Sequence, residues 1–357
     1  MLPADPITQA RDPFPNEPAS GSVIGWDVGG AHLKAVRVEN GEVRAARQEA
    51  LPLWLGLKHL EKAMTAIRAD LGEVGRHRVT MTGELVDAFA SRAEGVAAIA
   101  GTAARLLGDD VLIWGGRAGW LTAPEAGRRA EDVASANWHA TATFVAGRRR
   151  DAILLDIGST TTDVIPIKEG RVAATGYSDA TRFSSGELVY TGAVRTPLMA
   201  VAQRAPFRGG WSGVAAEYFA TMADVNRLLG RLDEADDRYP PADGRGKSLD
   251  ESRIRLARMV GADVGDATPD DWTGLAAWFA ESQIRLVDDA LRLVASRSTL
   301  AADAPIVACG IGREPAAELA RRQGRTIEDL AALMPAADAD LARRAAAYAP
   351  AASVALL

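Results

Sequence analysis

The stretch Val23-Ile24-Gly25-Trp26-Asp27-Val28-Gly29-Gly30-Ala31 is an apolar run that ends on an aspartate and a glycine-rich turn. Beyond it, Leu33 to Val38 has the composition of a second strand, Asn40-Gly41 is a hairpin turn signal, and Val43 opens a third strand. The same order returns later in the chain. Ala152-Ile153-Leu154-Leu155 is an apolar strand ending at Asp156, followed by Ile157-Gly158-Ser159-Thr160-Thr161-Thr162. Val164 to Ile167 is the next strand, Glu169-Gly170 the turn, and Val172-Ala173-Ala174 the third strand. The two segments align without a gap, Asp27 on Asp156, Gly29 on Gly158, Gly41 on Gly170 and Val43 on Val172. A match over three strands and two turns points to an internal duplication with a cleft between the copies.

The residue types suggest what such loops do. A glycine two places after the aspartate lets the backbone turn tightly and present N–H groups to an anion. Gly29, Gly30, Gly158, Ser159, Thr160 and Thr161 are therefore the candidate phosphate-binding positions, with Lys34 and Arg182 as weaker phosphate candidates. Bare carboxylates would repel phosphate oxygens in a partly desolvated cleft. A divalent cation held by Asp27 and Asp156 removes the conflict, and Mg²⁺ is the usual choice. The competing reading, that each aspartate merely caps a turn, is weakened by the matched second copy. A third element adds to the pattern: the apolar strand Pro305 to Cys309, the turn Gly310-Ile311-Gly312, and a helix from Pro315. Gly310 and Gly312 join the phosphate-binding set, against the alternative of a plain strand-to-helix turn.

Composition frames these motifs. The chain has 357 residues, 48% apolar and 25% charged, enough for two soluble domains. Its net charge is -6 with basic residues spread along the chain, which argues against a nucleic-acid partner. The single cysteine, Cys309, lies in Ile306-Val307-Ala308-Cys309-Gly310 and is expected to be a buried small hydrophobe. One cysteine forms no intrachain disulfide, which suits a cytoplasmic location. No segment is long and apolar enough to be a membrane span. The expected divisions are a flexible leader over 1–21, a first domain over 22–148, a second over 149–340, and a C-terminal segment over 341–357. The second domain is expected to carry a helical insertion at about 178–297. Within it, Gly213 to Leu229 is a candidate helix placing Glu217, Thr221 and Asp224 on one face. Asp243-Gly244-Arg245-Gly246-Lys247 is either a loop that closes over a diphosphate or a connector. Asp270 to Ser298 forms one or two helices, with Leu275, Trp278, Phe279, Ile284, Leu286 and Leu291 on an apolar face.

The two Asp-x-Gly loops and the late glycine turn, in this order, resemble the superfamily of sugar kinases, heat-shock chaperone ATPases and actin. Gly25-Trp26-Asp27-Val28-Gly29-Gly30-Ala31-His32-Leu33-Lys34 is similar to the hydantoinase A and oxoprolinase branch, in particular the group linked to tetrahydromethanopterin one-carbon transfer. So are Ser135-Ala136-Asn137-Trp138-His139-Ala140-Thr141, Asp156 to Asp163, Ser184 to Gly192, Arg195-Thr196-Pro197 and Ala242 to Arg245. The resemblance implies an α/β fold of duplicated ribonuclease H-like domains with a central cleft and a helical insertion in the second half. It also implies a transferase of methanofuran or methylofuran biosynthesis. Such an enzyme joins an aminomethylfuran-methyl diphosphate to a phenolic acceptor and releases pyrophosphate, so its partners are small molecules. Cys309 stands where many superfamily kinases have glycine, which argues against ATP. An ATP-dependent kinase or amidohydrolase is the alternative enzyme, and a nucleotide-gated filament or binding protein the alternative of another class. For the base that removes the phenolic proton, the candidates are His139, then Asp163 and Glu187. A hydrogen-bonded structural histidine is the competing reading of His139.

Overall fold

The computed structural model describes residues 21–108, 110–234, 236–297 and 300–357. The expected leader, apart from Gly21, lies outside them. In chain order the strands and helices are β1 (Ser22–Val28), β2 (His32–Glu39), β3 (Glu42–Ala50), α1 (Lys58–Leu71), β4 (Arg76–Met81), α2 (Arg92–Leu107), β5 (Val111–Trp114) and β6 (Trp120–Leu121). There follow α3 (Ala123–Arg128), α4 (Ala130–Val133), α5 (Asn137–Ala146), β7 (Ala152–Ile157), β8 (Thr162–Lys168), β9 (Arg171–Val172), α6 (Asp179–Ser185) and β10 (Leu188–Val189). Next come β11 (Arg204–Phe207), β12 (Gly210–Gly213), α7 (Met222–Leu228), α8 (Leu249–Met259) and α9 (Pro269–Arg297). The chain closes with β13 (Ile306–Gly310), α10 (Arg313–Arg322), β14 (Ile327–Asp329), α11 (Ala339–Ala347) and α12 (Ala349–Leu356).

Two compact units result. The first takes the chain up to Arg150, then Glu169–Val172 and Leu330–Leu357. Its sheet runs β3-β2-β1-β4-β5-β6, with β1 antiparallel to β2 and parallel to β4. Side chains alternate along β1. Ile24, Trp26 and Val28 enter a core with Leu60, Met64 and Ile67 of α1 and Val96 and Ile99 of α2. Gly25 and Asp27 point the other way, toward α12. A Cβ at Gly25 would collide with the Ala351 carbonyl, so this contact needs glycine at the strand and alanines on the helix. Residues 330–357 group with the first unit, where α12 packs against β1.

The second unit comprises Asp151–Lys168 and Ala173–Asp329. Its sheet runs β10-β8-β7-β13-β14, with β7 antiparallel to β8 and parallel to β13. This repeats the β2-β1-β4-β5 arrangement of the first unit. Both hairpin turns carry two consecutive positive φ values, 49° and 78° at Asn40-Gly41, 53° and 71° at Glu169-Gly170. That is the mirror-image turn whose twist matches paired strands. The third strand of the second copy stops at Val172 instead of reaching Ala174. Thr175 and Gly176 give their N–H groups to the Glu187 carboxylate, at 2.8 and 2.7 Å, instead of to a sheet neighbour.

The expected helical insertion is helical only in part, since β11 and β12 form a hairpin turning at Arg208-Gly209, both at positive φ. Nor is Gly213–Leu229 one helix. Thr221 caps the N-terminus of α7 in a capping box with Asp224, so the helix begins at Met222 and Glu217 is not on it. The segment 270–297 is a single helix, α9, with two partners. Trp272, Leu275, Ala276 and Phe279 pack against α7 and α8 residues such as Val225 and Leu256. Ile284, Val287, Leu291 and Val294 pack onto the sheet with Ile153, Leu155 and Ile306. These positions recur with the helical period, and burial of each large side chain contributes about 2 kcal/mol, which fixes the rotation of α9. Leu286, expected on that face, is exposed.

Candidate functional site

In the first unit the loop after β1 is closed by Gly29 N–H donating to the His32 carbonyl at 3.0 Å. The carbonyls of Val28, Gly30 and Ala31 are taken by the N–H groups of Thr82, Leu53 and Leu51. With the carbonyls engaged, the N–H groups of Gly30 and Ala31 are left for an external acceptor among the described residues. The second unit repeats this. Gly158 N–H donates to the Thr161 carbonyl at 2.9 Å, while the Gly158 and Ser159 carbonyls accept from Ala193, Val194 and Arg195. Gly192 presses on the loop so closely that a Cβ there would lie 2.5 Å from Thr160 N. The N–H groups and hydroxyls of Ser159 and Thr160 thus line a turn whose carbonyls are tied behind it, the arrangement that favours an anion.

The two aspartates differ in setting. Asp27 is buried, and its Oδ1 has no hydrogen-bond partner among the described residues. Burial raises its pKa from the ordinary carboxylate value, and Lys34, paired with it across β1 and β2, pulls it back down. Lys34 also lies over the Tyr348 ring, 5.6 Å from its centre. Asp156 is half-buried beside Cys309, its partner in the β7–β13 register. Cys309 is buried as expected, and burial together with the hydrogen-bonded Asp156 carboxylate keeps it a thiol. The turn at Gly310-Ile311-Gly312 docks on the same strand end, where the N–H groups of Ile311 and Gly312 both donate to the Ile157 carbonyl at 3.0 Å. Gly310 has φ of 77°, and a Cβ on it would collide with Asp156 Oδ1. Glycine there is a requirement of the fold around Asp156. The N–H groups of Ile311 and Gly312 are consumed by Ile157, which removes them as phosphate donors.

Of the three candidate bases, Glu187 is fully buried and accepts from Thr175, Gly176, Ser185 and Arg297, which makes it an anchor for the 175–187 segment. Asp163 is ion-paired with the buried Arg182, which also donates to the Glu187 carbonyl. Arg182 is thereby a structural cation, not a phosphate ligand. Burial raises the Asp163 pKa and Arg182 opposes that. Asp163 pairs with Asp156 across β7 and β8, so the two carboxylates share a sheet face. His139 is buried on α5, with Nδ1 3.2 Å from the Thr143 hydroxyl and its ring against Trp114 and Trp138. Burial pushes its pKa down to about 4, with the Arg117 charge adding to the effect, so the ring is neutral near pH 7.

Sequence reasoning missed two residues beside the first loop. Thr80 lies next to Asp27 in the β1–β4 register, and its buried hydroxyl has no partner among the described residues. Glu84, just past β4, is also buried, with one carboxylate oxygen unpartnered. Both sit at the carboxyl ends of parallel strands, where open α/β sheets bind ligands. No repeat or spacing marks them. The loop at 243–247 is held from inside: Asp243 pairs with the buried Arg255 at 3.1 Å, and Lys247 with Asp237 at 3.2 Å.

Comparison with known proteins agrees with this architecture. The hydantoinase/oxoprolinase family model matches residues 76–327, a span that takes in the second Asp-x-Gly loop but not the first. A (4-{4-[2-(gamma-L-glutamylamino)ethyl]phenoxymethyl}furan-2-yl)methanamine synthase from Methanocaldococcus jannaschii is 32% identical over 293 residues, covering 82% of this chain and 86% of the relative. The synthase of the same name from Methanococcus vannielii is 32% identical over 165 residues, covering 46% of this chain and 72% of the relative. Among solved structures, a nucleotide-free acetone carboxylase matches with a TM-score of 0.50 at 12% identity, over 81% of this chain and 64% of that one. The two sheets, each with the same hairpin and the same parallel neighbour strand, define an α/β fold of duplicated ribonuclease H-like domains, and the relatives' names make the chain an enzyme. Within that class, the chain belongs to the hydantoinase/oxoprolinase family.

Proposed function

We propose that this enzyme forms an aryl ether, transferring the methylene of an aminomethylfuran-methyl diphosphate to a phenolic tyramine- or tyrosine-derived acceptor and releasing pyrophosphate. The observation that carries the reading is the 32% identity, over 82% of the chain, to a synthase whose named product contains that phenoxymethyl-furan linkage. In this reading the phenolic oxygen bonds to the furfuryl carbon, the carbon–oxygen bond to the diphosphate breaks, and the phenolic proton passes to the protein. The backbone N–H groups of Gly30, Ala31, Ser159 and Thr160 and the hydroxyls of Ser159 and Thr160 bind and orient the leaving diphosphate.

In this reading Asp27 and Asp156 would hold Mg²⁺. Among the described residues no group of three or more His, Cys, Asp or Glu could hold a metal, so an ion here would have only these two carboxylates from the protein. Asp27 nonetheless leaves a buried oxygen unpartnered. Mg²⁺ characteristically takes one or two carboxylates and completes its shell with water and substrate phosphates. When bound it would neutralise charge on the departing pyrophosphate. Asp163 is the proton acceptor, because it shares the sheet face of Asp156 and Arg182 fixes its side chain. Glu187 holds the segment that carries Arg182, and His139 serves as a neutral packing group against Trp114 and Trp138. The reaction takes place in the cytoplasm, as a step in making a furan one-carbon carrier for a tetrahydromethanopterin-linked pathway.

One assay tests the reading. The furfuryl diphosphate and tyramine or tyrosine are supplied with Mg²⁺, with and without ATP, and ether and pyrophosphate are measured. Both products without ATP are expected. ADP formation with a different acceptor, and no ether, would overturn it.

A further inference from the structure

Glu84 is 1% exposed, at the turn that follows β4. Its Oε1 accepts from the backbone N–H of Ser135 at 2.9 Å and from the Ser135 hydroxyl at 3.2 Å. Its Oε2 is buried and has no hydrogen-bond partner among the described residues. Ser135 itself sits at φ of 54°, an uncommon conformation for a residue with a side chain, so the donor pair is held in place by a constrained turn. Gly95 of α2 clamps the other side: a Cβ there would lie 2.7 Å from the Glu84 carbonyl and 2.8 Å from its Cα. The preceding residue, Gly83, abuts the first anion loop, where a Cβ would come within 3.0 Å of the Gly29 carbonyl and 3.1 Å of that of Val28. The turn that carries Glu84 is therefore fixed beside the loop, with one carboxylate oxygen satisfied and the other buried without a partner among the described residues.

An ionised carboxylate at such a position is costly unless a partner meets it. Burial is the largest influence on its pKa and raises it, while the charge of Arg92 is the smallest of the opposing influences. The missing partner is a donor with positive charge. We propose that Glu84 Oε2 binds the primary ammonium of the aminomethyl group on the furan substrate, so that this residue selects an aminated furan. The assignment rests on the reaction proposed above. An ammonium offers three N–H donors and a full charge, which offsets the burial of the carboxylate throughout turnover.

The test uses Glu84→Gln in the full chain, which keeps the shape and the Ser135 contact and removes the charge. Its thermal midpoint is expected to equal or exceed that of the wild type, since a buried unpaired charge is lost. Calorimetry with furfurylamine as the probe is expected to show binding by the wild type, weakened at least about 30-fold in the variant. Furfuryl alcohol, which lacks the charge, should bind both forms alike. Equal binding of furfurylamine to both, or none to the wild type, overturns the proposal. Turnover separates this site from the reaction it rests on. A rise in KM for the aminomethyl diphosphate that is absent for its des-amino analogue supports it. An equal fall in kcat on both substrates overturns it in favour of a proton-transfer role, with ether synthesis itself still standing. Furfurylamine binding through Glu84 without any ether synthesis would keep the site and sink the reaction.

Discussion

Gly158 N–H donates to the Thr161 carbonyl as Gly29 N–H donates to that of His32, at 2.9 and 3.0 Å. One hydrogen bond closes each loop on itself and turns the following N–H groups outward, so the same device is built twice in one chain. If both loops act on the diphosphate, their aspartates are needed together. Asp27→Asn and Asp156→Asn are each expected to lower kcat by at least about 100-fold while leaving the circular dichroism spectrum unchanged. Turnover by either variant at the wild-type rate would remove that aspartate from the metal-binding role.

Gly192 is expected to be intolerant of any side chain. Its Cβ position lies 2.5 Å from Thr160 N and 2.6 Å from the Gly158 carbonyl, both rigid backbone atoms. Gly192→Ala should push the second loop out of shape and destabilise the protein by about 1–3 kcal/mol, the usual cost of overpacking. Pyrophosphate affinity, measured by calorimetry, should fall as well. An unchanged affinity would show that this loop does not grip the diphosphate.

Glu187 supports a different kind of prediction, one about stability. Glu187→Ala strands two backbone N–H groups, two hydroxyls and the Arg297 guanidinium that now share its carboxylate. Breaking a buried charged hub costs about 3–5 kcal/mol. Urea unfolding should show that loss as a lower midpoint, whereas a variant with normal stability and no activity would restore Glu187 as a catalytic group.

His139 and His77 are both held near a pKa of about 4, in each case chiefly by burial. His77 also accepts a hydrogen bond at Nδ1 from the Trp26 indole at 3.2 Å, which needs an unprotonated nitrogen there. In the unfolded chain an imidazole protonates near pH 6.5. As pH falls from about 6.5 toward 4, the unfolded state therefore takes up protons that the folded state refuses, and these two rings cost stability over that window. The buried carboxyls of Asp27, Glu84 and Asp163, raised in pKa, act in the opposite sense. A thermal midpoint would mix the two effects, so imidazole NMR shifts are the cleaner measurement. Both rings should stay neutral at pH 5.5, and a midpoint near 6.5 for His139 would contradict its burial.

Much of this was legible in the sequence because it is local. A strand, an aspartate, a glycine and a turn lie within a few residues of each other, and the duplication supplies an internal control that Asn40-Gly41 and Glu169-Gly170 satisfy down to the sign of φ. The start of α7 was misplaced because residues 213–229 have helical composition, whereas the Thr221–Asp224 cap decides where the helix begins. Arg182 has the chemistry of a phosphate ligand, and only its burial against Asp163 shows otherwise. Glu84 lies in an unremarkable Gly-Glu-Leu, and its interest comes from Ser135, 51 positions away. Long-range contacts carry no signature in a single sequence.

The covering of Gly25 and Asp27 by α12 bears on the order of synthesis. Strand β1 leaves the ribosome early, while the helix that roofs its Asp27 face is made only after the second unit. Chains tend to fold domain by domain from the N-terminus as they are made. Here the earlier unit is the one that must wait. Until residues 349–356 are made, the nascent first sheet therefore lacks the helix that packs on its Gly25 face.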